Sequence, residues 1–217
     1  YMQLQDYASA EKDLYAAIKQ SRKSYTVYRT LYSALEAQGK DDEAKQVLND
    51  ALQLSGSSSE DYYNRGMIYV DLQDYTNAAD MLNKSYDKGY KAALLGLGEV
   101  SYTQQDYDTA LTYYGKYFDE VDISSVDASL AAKAYNQYAA VLLAKGEYEK
   151  AAQACESGLT YNDRESDAAL SFNLIVSYEH LEQWEDAYNT AKTYVSKYPE
   201  DTKGQKEYQF LESRVTQ

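Results

Sequence analysis

Between Ser59 and Lys88, apolar and small residues recur at intervals of three and four: Tyr62, Gly66 and Tyr69, then Tyr75, Ala78, Leu82 and Ser85. Each set falls on one face of an α-helix. Polar Asp71-Leu72-Gln73-Asp74 separates the two sets, and Asp74 is placed to cap the second helix. Two helices of about a dozen residues joined by so short a turn must run antiparallel. Gly66 and Ala78 stand where the pair crosses and are small enough to let the backbones approach closely.

The phrase that opens the second helix recurs along the chain. An acidic or polar residue and an aromatic precede an alanine in Asp6-Tyr7…Ala10, Asp74-Tyr75…Ala78, Asp106-Tyr107…Ala110, Glu147-Tyr148…Ala151 and Gln183-Trp184…Ala187. Asp41-Asp42…Ala44 is a copy without the aromatic. The first alanines are 34 residues apart, and the later intervals are 32, 41 and 36. Such a period predicts an array of stacked helix pairs, each burying a face that it cannot cover alone.

These residues resemble the tetratricopeptide repeat (TPR), with an aromatic, leucine-glycine and tyrosine on the first helix and alanines on the second. Tyr28, Leu31, Tyr32 and Leu35 lead into Ala44, Leu48 and Ala51; Leu94, Leu97 and Gly98 lead into Ala110, Tyr114 and Tyr117. Tyr135, Tyr138, Ala139 and Leu142 lead into Ala151, Cys155 and Gly158; Leu174, Ile175 and Tyr178 lead into Ala187, Ala191, Tyr194 and Pro199. The resemblance implies an all-α superhelix, a solenoid of antiparallel helix pairs closed by a C-terminal capping helix. It reads the chain as one repeat domain: a partial repeat over 1–24, full repeats over 25–58, 59–90, 91–122, 130–165 and 168–201, and the capping helix over 202–217. Residues Tyr86–Ala93 have the flavour of the related Sel1-like repeats, and an acidic linker around Asp119–Ser129 lengthens one interval. The register puts Tyr1 inside a first helix, so the residues are expected to be a piece of a longer protein.

Composition narrows the function classes. Asp and Glu number 35 against 21 Lys and Arg, a net charge of -14, which repels phosphate backbones and argues against nucleic acid. It suits a solvated acidic exterior or, more specifically, a basic partner. No run of eighteen apolar residues exists, so no membrane span is expected. One proline suits long helices, and the single Cys155 excludes a disulfide framework. Rich Tyr, Ser, Gln and Asp suit a bacterial protein, exported or membrane-anchored through residues upstream, or alternatively cytoplasmic.

Catalysis finds no residues to use. His180, the one histidine, lies near a helix end without identifiable partners, and Cys155 stands at a packing position. One Cys and one His exclude the common zinc clusters, and the aspartates lack calcium-loop spacing. Gly96-Leu97-Gly98 belongs to a helix rather than a phosphate loop. No cofactor is expected, and no enzyme.

In the family that this chain resembles, first helices line a concave groove that holds a peptide or protein. Its inward register carries over to Thr26, Arg29, Ser33 and Glu36; Tyr63, Met67, Val70 and Asp71; Leu95, Glu99 and Tyr102; Lys133, Asn136, Ala140 and Leu143; and Phe172, Val176, Glu179 and His180. The groove expected to bind a partner is therefore Arg29, Tyr63, Met67, Val70, Leu95, Glu99, Tyr102, Asn136, Leu143, Phe172, Val176 and His180. Of the 26 tyrosines, those off the packing positions, among them Tyr25, Tyr63, Tyr86, Tyr90, Tyr102, Tyr113 and Tyr161, are candidates for partner contact. The carboxylate clamp of chaperone-binding repeats is not assembled, because its positions hold Arg29, Ser33, Asn64, Ala92 and Gly96. A non-enzymatic interaction scaffold is thus the expected function. The alternatives are an oligomerising module, self-associating through its N-terminal edge, and an accessory domain of a larger envelope protein or complex.

Overall fold

The structure is a computed structural model that describes residues 6–20 and 24–215. The place of Tyr1 lies outside these residues. The described residues form twelve α-helices and no strand: α1 (Tyr7–Gln20), α2 (Tyr25–Glu36), α3 (Asp41–Leu52), α4 (Ser59–Asp71), α5 (Tyr75–Asp87), α6 (Ala93–Thr103), α7 (Tyr107–Glu120), α8 (Ala128–Lys145), α9 (Tyr148–Leu159), α10 (Arg164–His180), α11 (Trp184–Lys197) and α12 (Thr202–Val215). None of them is long and apolar enough to cross a membrane.

Five turns that join a first helix to its partner share one geometry. The residue two before the second helix is left-handed each time: Gly39, Gln73, Gln105, Gly146 and Glu182, with φ of 72°, 60°, 61°, 75° and 58°. The next residue returns its N–H to a carbonyl in the first helix. Lys40 donates to Leu35, Asp74 to Tyr69, Asp106 to Ser101, Glu147 to Leu142 and Gln183 to Tyr178, all at 2.9–3.0 Å. This closure satisfies carbonyls that a helix end would otherwise leave open. Asp74 and Asp106 then cap the second helix, accepting from Asn77 N and Thr109 N at 3.2 Å. Four residues beyond each cap position, Ala44, Ala78, Ala110, Ala151 and Ala187 are fully buried.

The chain divides into two compact units, Tyr1–Val100 and Ser101–Gln217. In the first, Tyr25, Tyr28, Leu31 and Leu35 of α2 pack with Ala44, Val47, Leu48 and Ala51 of α3 and with Ile68 of α4. Gly66 and Gly96 leave room for Leu82 of α5, which fills the space beside both backbones. Helix α6 departs from an amphipathic pattern: Ala93 to Gly98 are all buried, so it has no solvated first half.

In the second unit, one cluster joins Ala132, Ala139 and Leu142 of α8, Ala151 and Cys155 of α9, and Leu170 and Leu174 of α10. Another joins Ile175, Ala187, Ala191 and Tyr194 to Leu211 of α12. The acidic linker is a pair of caps around a short 3-10 turn at Ile123–Ser125. Asp122 accepts from Ser124 N at 3.1 Å, and Asp127 accepts from Leu130 N at 2.9 Å to start the 18-residue α8.

Two glycines test the crossing argument. A Cβ on Gly66 would lie 2.6 Å from Leu82 Cγ and 3.3 Å from its backbone nitrogen, whereas one on Gly115 in α7 would meet nothing within 4 Å. Gly66→Ala should therefore cost about 1–3 kcal/mol by overpacking. Gly115→Ala should add about 0.5–1 kcal/mol by restricting the unfolded chain and favouring helix. Urea midpoints measure both, and a Gly66→Ala protein as stable as the parent would refute the crossing.

Candidate functional site

Apart from α6, the first helices keep one face for packing and leave another at least partly open. In α2 the buried face is Tyr25, Tyr28, Leu31, Ala34 and Leu35, leaving Arg29 on the adjacent side. Its guanidinium meets Asp71 at the end of α4 in a two-pronged pair, Nε–Oδ2 at 2.6 Å and Nη2–Oδ1 at 3.1 Å. Burial alone would lower the Arg29 guanidinium, but the hydrogen bond and charge of Asp71, helped by Tyr63 and Glu99, hold it raised. Arg29 is thus a strut between α2 and α4. Tyr63 packs its ring against Tyr90 at 4.9 Å, while Val70 and Glu99 are half-buried.

Three sequence expectations in this unit are corrected. Met67 and Leu95 are buried at 3% and 5% exposure and do not offer a surface to a partner. Met67 occupies the space that side-chain-less Gly96 leaves, its Sδ 3.2 Å from where a Cβ would stand. Leu95 belongs to the stretch of α6 that is buried throughout. Tyr25 lies in the α2–α3 core rather than free for contact.

In the second unit Tyr102 is 38% exposed beside Tyr107, with ring centroids 5.8 Å apart. Asn136 of α8 accepts from the Asn173 amide of α10 at 3.1 Å. Leu143 packs at the margin of the α8–α9–α10 core, and Val176 is half-buried. Phe172 is partly covered: Tyr194 meets it edge-on at 5.8 Å, and Lys203 Nζ of α12 stands 4.0 Å over its ring. His180 is exposed and stacks flat on Tyr148, centroids 4.0 Å apart and planes 2° from parallel. The remaining off-register tyrosines are partly engaged, Tyr161 against Tyr135 at 6.1 Å and Tyr86 beneath Lys91 Nζ at 4.6 Å.

Glu179 is the one strongly perturbed carboxyl of this face. Burial pushes it up to about 7, and the hydrogen bond and charge of Glu207 on α12 add to the effect. One of its oxygens, Oε1, is buried without a hydrogen-bond partner. Two clefts also lie off the register that repeat spacing can indicate. One of about 510 Å³ is lined by Glu149, Glu156, Tyr178 and Asp186, and one of about 430 Å³ by Arg164, Asp167, Lys197 and Tyr198. In both, a tyrosine hydroxyl donates to a carboxylate: Tyr178 to Glu156 at 2.6 Å and Tyr198 to Asp167 at 2.7 Å. No sequence signal marks either.

These groups offer recognition chemistry rather than a nucleophile. Burial pushes the Cys155 thiol up to about 12, with Glu156 adding to it, so the thiolate that would react is suppressed. No group of three potential metal ligands exists among the described residues.

Comparison with known proteins gives the fold its relatives. Residues 63–121 match a family model described as tetratricopeptide repeat. The BBSome complex member BBS4 of Bos taurus is 28% identical over 116 residues, 52% of this chain and 22% of that protein. A solved APC/C hetero-tetramer, Cut9–Hcn1, superposes with a TM-score of 0.71 at 16% identity, covering 97% of this chain and 40% of the other. YrrB, described as a TPR protein with an unusual peptide-binding site, superposes with a TM-score of 0.55 at 21% identity, covering 88% of this chain and 95% of the other. The chain therefore spans well under half the length of the first two.

The Arg29–Asp71 strut yields a measurable expectation. Arg29 is 36% exposed and Asp71 17%, so solvent screens the pair partly and removing one partner should cost about 1–2 kcal/mol, less than for a fully buried pair. Arg29→Met with Asp71→Leu together should lose less than the sum of the single losses in a double-mutant cycle. Strict additivity of the two would show that the pair does not couple α2 to α4.

Proposed function

We propose that this chain is a tetratricopeptide-repeat protein and, from that premise, a non-enzymatic scaffold whose first helices bind a peptide or protein segment. The observation that carries the reading is the apolar character of positions that packing does not require. Val70 in the first unit, which also carries polar Arg29 and Glu99, and Tyr102 and Val176 in the second, which also carries Asn136, remain exposed or half-buried. Apolar anchors set among polar groups are the composition of a recognition surface, where desolvated anchors supply affinity and polar neighbours fix the register. The peptide-binding site described for YrrB on the same fold supports the choice of ligand class. The acidic balance of the chain favours a partner with basic residues. Each unit offers its own stretch of this surface.

The second reading is self-association through α1. Tyr15 is 42% exposed on that helix, whose closest packing is with α2. Role within a larger protein is a further part of the proposal, since the chain matches 22% of its curated relative.

Affinity capture with the intact chain tests the first reading. Val70→Glu and Val176→Glu place a charge on each unit's open face without touching the buried alanines, and Gln153→Glu on exposed α9 surface is the control. A captured partner should be lost about tenfold or more with either charge, since each desolvates poorly at an interface. Retention equal to the control by both variants would sink the proposal. Light scattering across concentration tests the second reading: a mass that rises in the parent and not in Tyr15→Glu supports it, and a constant monomer excludes it.

A further inference from the structure

Helix α12 packs on α11, held by buried Leu211 and by Gly204 seated against the Tyr194 ring. Beside these contacts two phenols meet across the helix pair. Tyr188 of α11 and Tyr208 of α12 stack with ring centroids 5.4 Å apart and planes 20° from parallel. Their hydroxyls stand 3.3 Å apart, and Tyr208 donates to Glu212 Oε1 at 3.2 Å. Near-parallel phenols whose hydroxyls touch also bring together the ring carbons beside those hydroxyls. On those carbons the unpaired electron resides once a phenol has lost an electron and a proton. Both side chains are half-buried, so each keeps an edge in solvent.

We propose that Tyr188 and Tyr208 form an oxidative cross-linking site, at which a one-electron oxidant of the peroxidase class, driven by hydrogen peroxide, joins the two rings carbon to carbon and ties α12 to α11.

The oxidant takes one electron from Tyr208, whose hydroxyl proton passes to Glu212. It takes a second electron from Tyr188, whose proton goes to solvent. The two phenoxyl radicals then couple, and one C–C bond forms between the ring carbons next to the oxygens. The hydrogen on each of those carbons moves as a proton to the oxygen, which restores both phenols. The protein has lost two electrons and two protons. Hydrogen peroxide takes them up, its O–O bond breaks and two waters form.

Three features direct oxidation to this pair. Cys155, the single thiol and the group that would otherwise quench a phenoxyl, is fully buried. Trp184, the one indole, lies beneath the Arg214 guanidinium at 5.1 Å, and a cation over a ring opposes the removal of an electron from it. Other tyrosine rings lie closer but are turned apart. Tyr194 and Tyr198 have centroids 4.9 Å apart, yet their planes meet at 47° and their hydroxyls go to separate carboxylates, Asp201 and Asp167. Tyr63 and Tyr90 are likewise tilted, by 50°.

The link joins residues 20 apart in sequence. Closing that loop covalently restricts the chain whenever α12 is undocked, so docking loses less entropy. Leu211 is then kept against Ile175 and Tyr194 by a bond rather than by side-chain contact alone. Oxidation at this pair fastens the end of the unit.

Peroxidase and hydrogen peroxide applied to the intact chain, dilute enough to keep copies apart, test the site. The monomer should lose the mass of two hydrogens, and proteolysis should release a peptide pair joined through Tyr188 and Tyr208. Tyr188→Phe and Tyr208→Phe keep the ring and its packing but remove the phenol. Each should lower dityrosine fluorescence in the monomer about tenfold or more, because a held pair reacts far faster than phenols that must find one another. Tyr198→Phe, which alters the closer but tilted pair, should leave that fluorescence unchanged. Hydrogen exchange of residues 202–215 should slow about tenfold or more in the cross-linked monomer. Absence of the Tyr188–Tyr208 link from the oxidised parent, fluorescence that persists in Tyr188→Phe, or dityrosine formed only between copies overturns the site. Exchange as fast in the cross-linked monomer as in the untreated chain overturns the tie. No partner enters these measurements, so their outcome is independent of the binding proposal.

Discussion

Everything in this chain depends on two backbones being able to cross closely and turn back at once. The crossing is possible because alanine stands at the contact in each pair, at Ala44, Ala78, Ala110, Ala151 and Ala187, with no exposure at all. The return is enforced by a left-handed residue and one hydrogen bond to the helix just completed. At three of the five turns that residue is Gln73, Gln105 or Glu182 rather than glycine, so a conformation costing roughly 1 kcal/mol or more is tolerated. The closing hydrogen bond offsets it at all three, and the Asp74 and Asp106 caps add to it at Gln73 and Gln105. Helix length, partner choice and the direction of the open face then follow from this corner.

The spacing of alanines and aromatics made the helix pairs legible, because the same small-residue contact must recur wherever a pair crosses. The candidate site was legible only in part. Transferring an inward register treats each helix as having a solvated side, and α6 has none over Ala93–Gly98. Leu95 consequently sits in the core, and Met67 swings into room that only a glycine at 96 could leave. Such a movement depends on what is absent from a neighbouring helix, which periodicity along one helix does not encode. Phe172 is a milder case, since its cover comes from Lys203 about thirty residues later. The acidic linker holds more structure than its length in the repeat spacing implied: Asp122 and Asp127 are N-caps, one starting the 3-10 turn and the other α8.

The tyrosines gain a physical role that their number alone did not suggest. With 35 acidic against 21 basic residues, many carboxylates cannot find a cation. Phenolic hydroxyls supply donors in their place, Tyr178 to Glu156 and Tyr194 to Asp201 at 2.6 Å and Tyr32 to Glu36, while at Asp167 the Tyr198 hydroxyl at 2.7 Å joins the Lys197 ammonium at 3.0 Å. The ring contributes packing area while its edge satisfies a charge without adding one. Burial first, and the neighbouring carboxylate second, push the phenols of Tyr178, Tyr194 and Tyr198 well above their usual value, so they stay neutral donors.

The hairpin turns also govern time. Among the described helices, the principal contacts join a helix to its neighbour in sequence or to the next but one, as α8 does with α10. Little chain must be looped out before a contact forms, so closing each corner loses little entropy and the search for native pairings is short. Nucleation can begin at any of the five corners and spread outward, each pair templating the next. A chain assembled this way need not be finished before it starts to fold: each hairpin can close while the residues of its successor are still being synthesised.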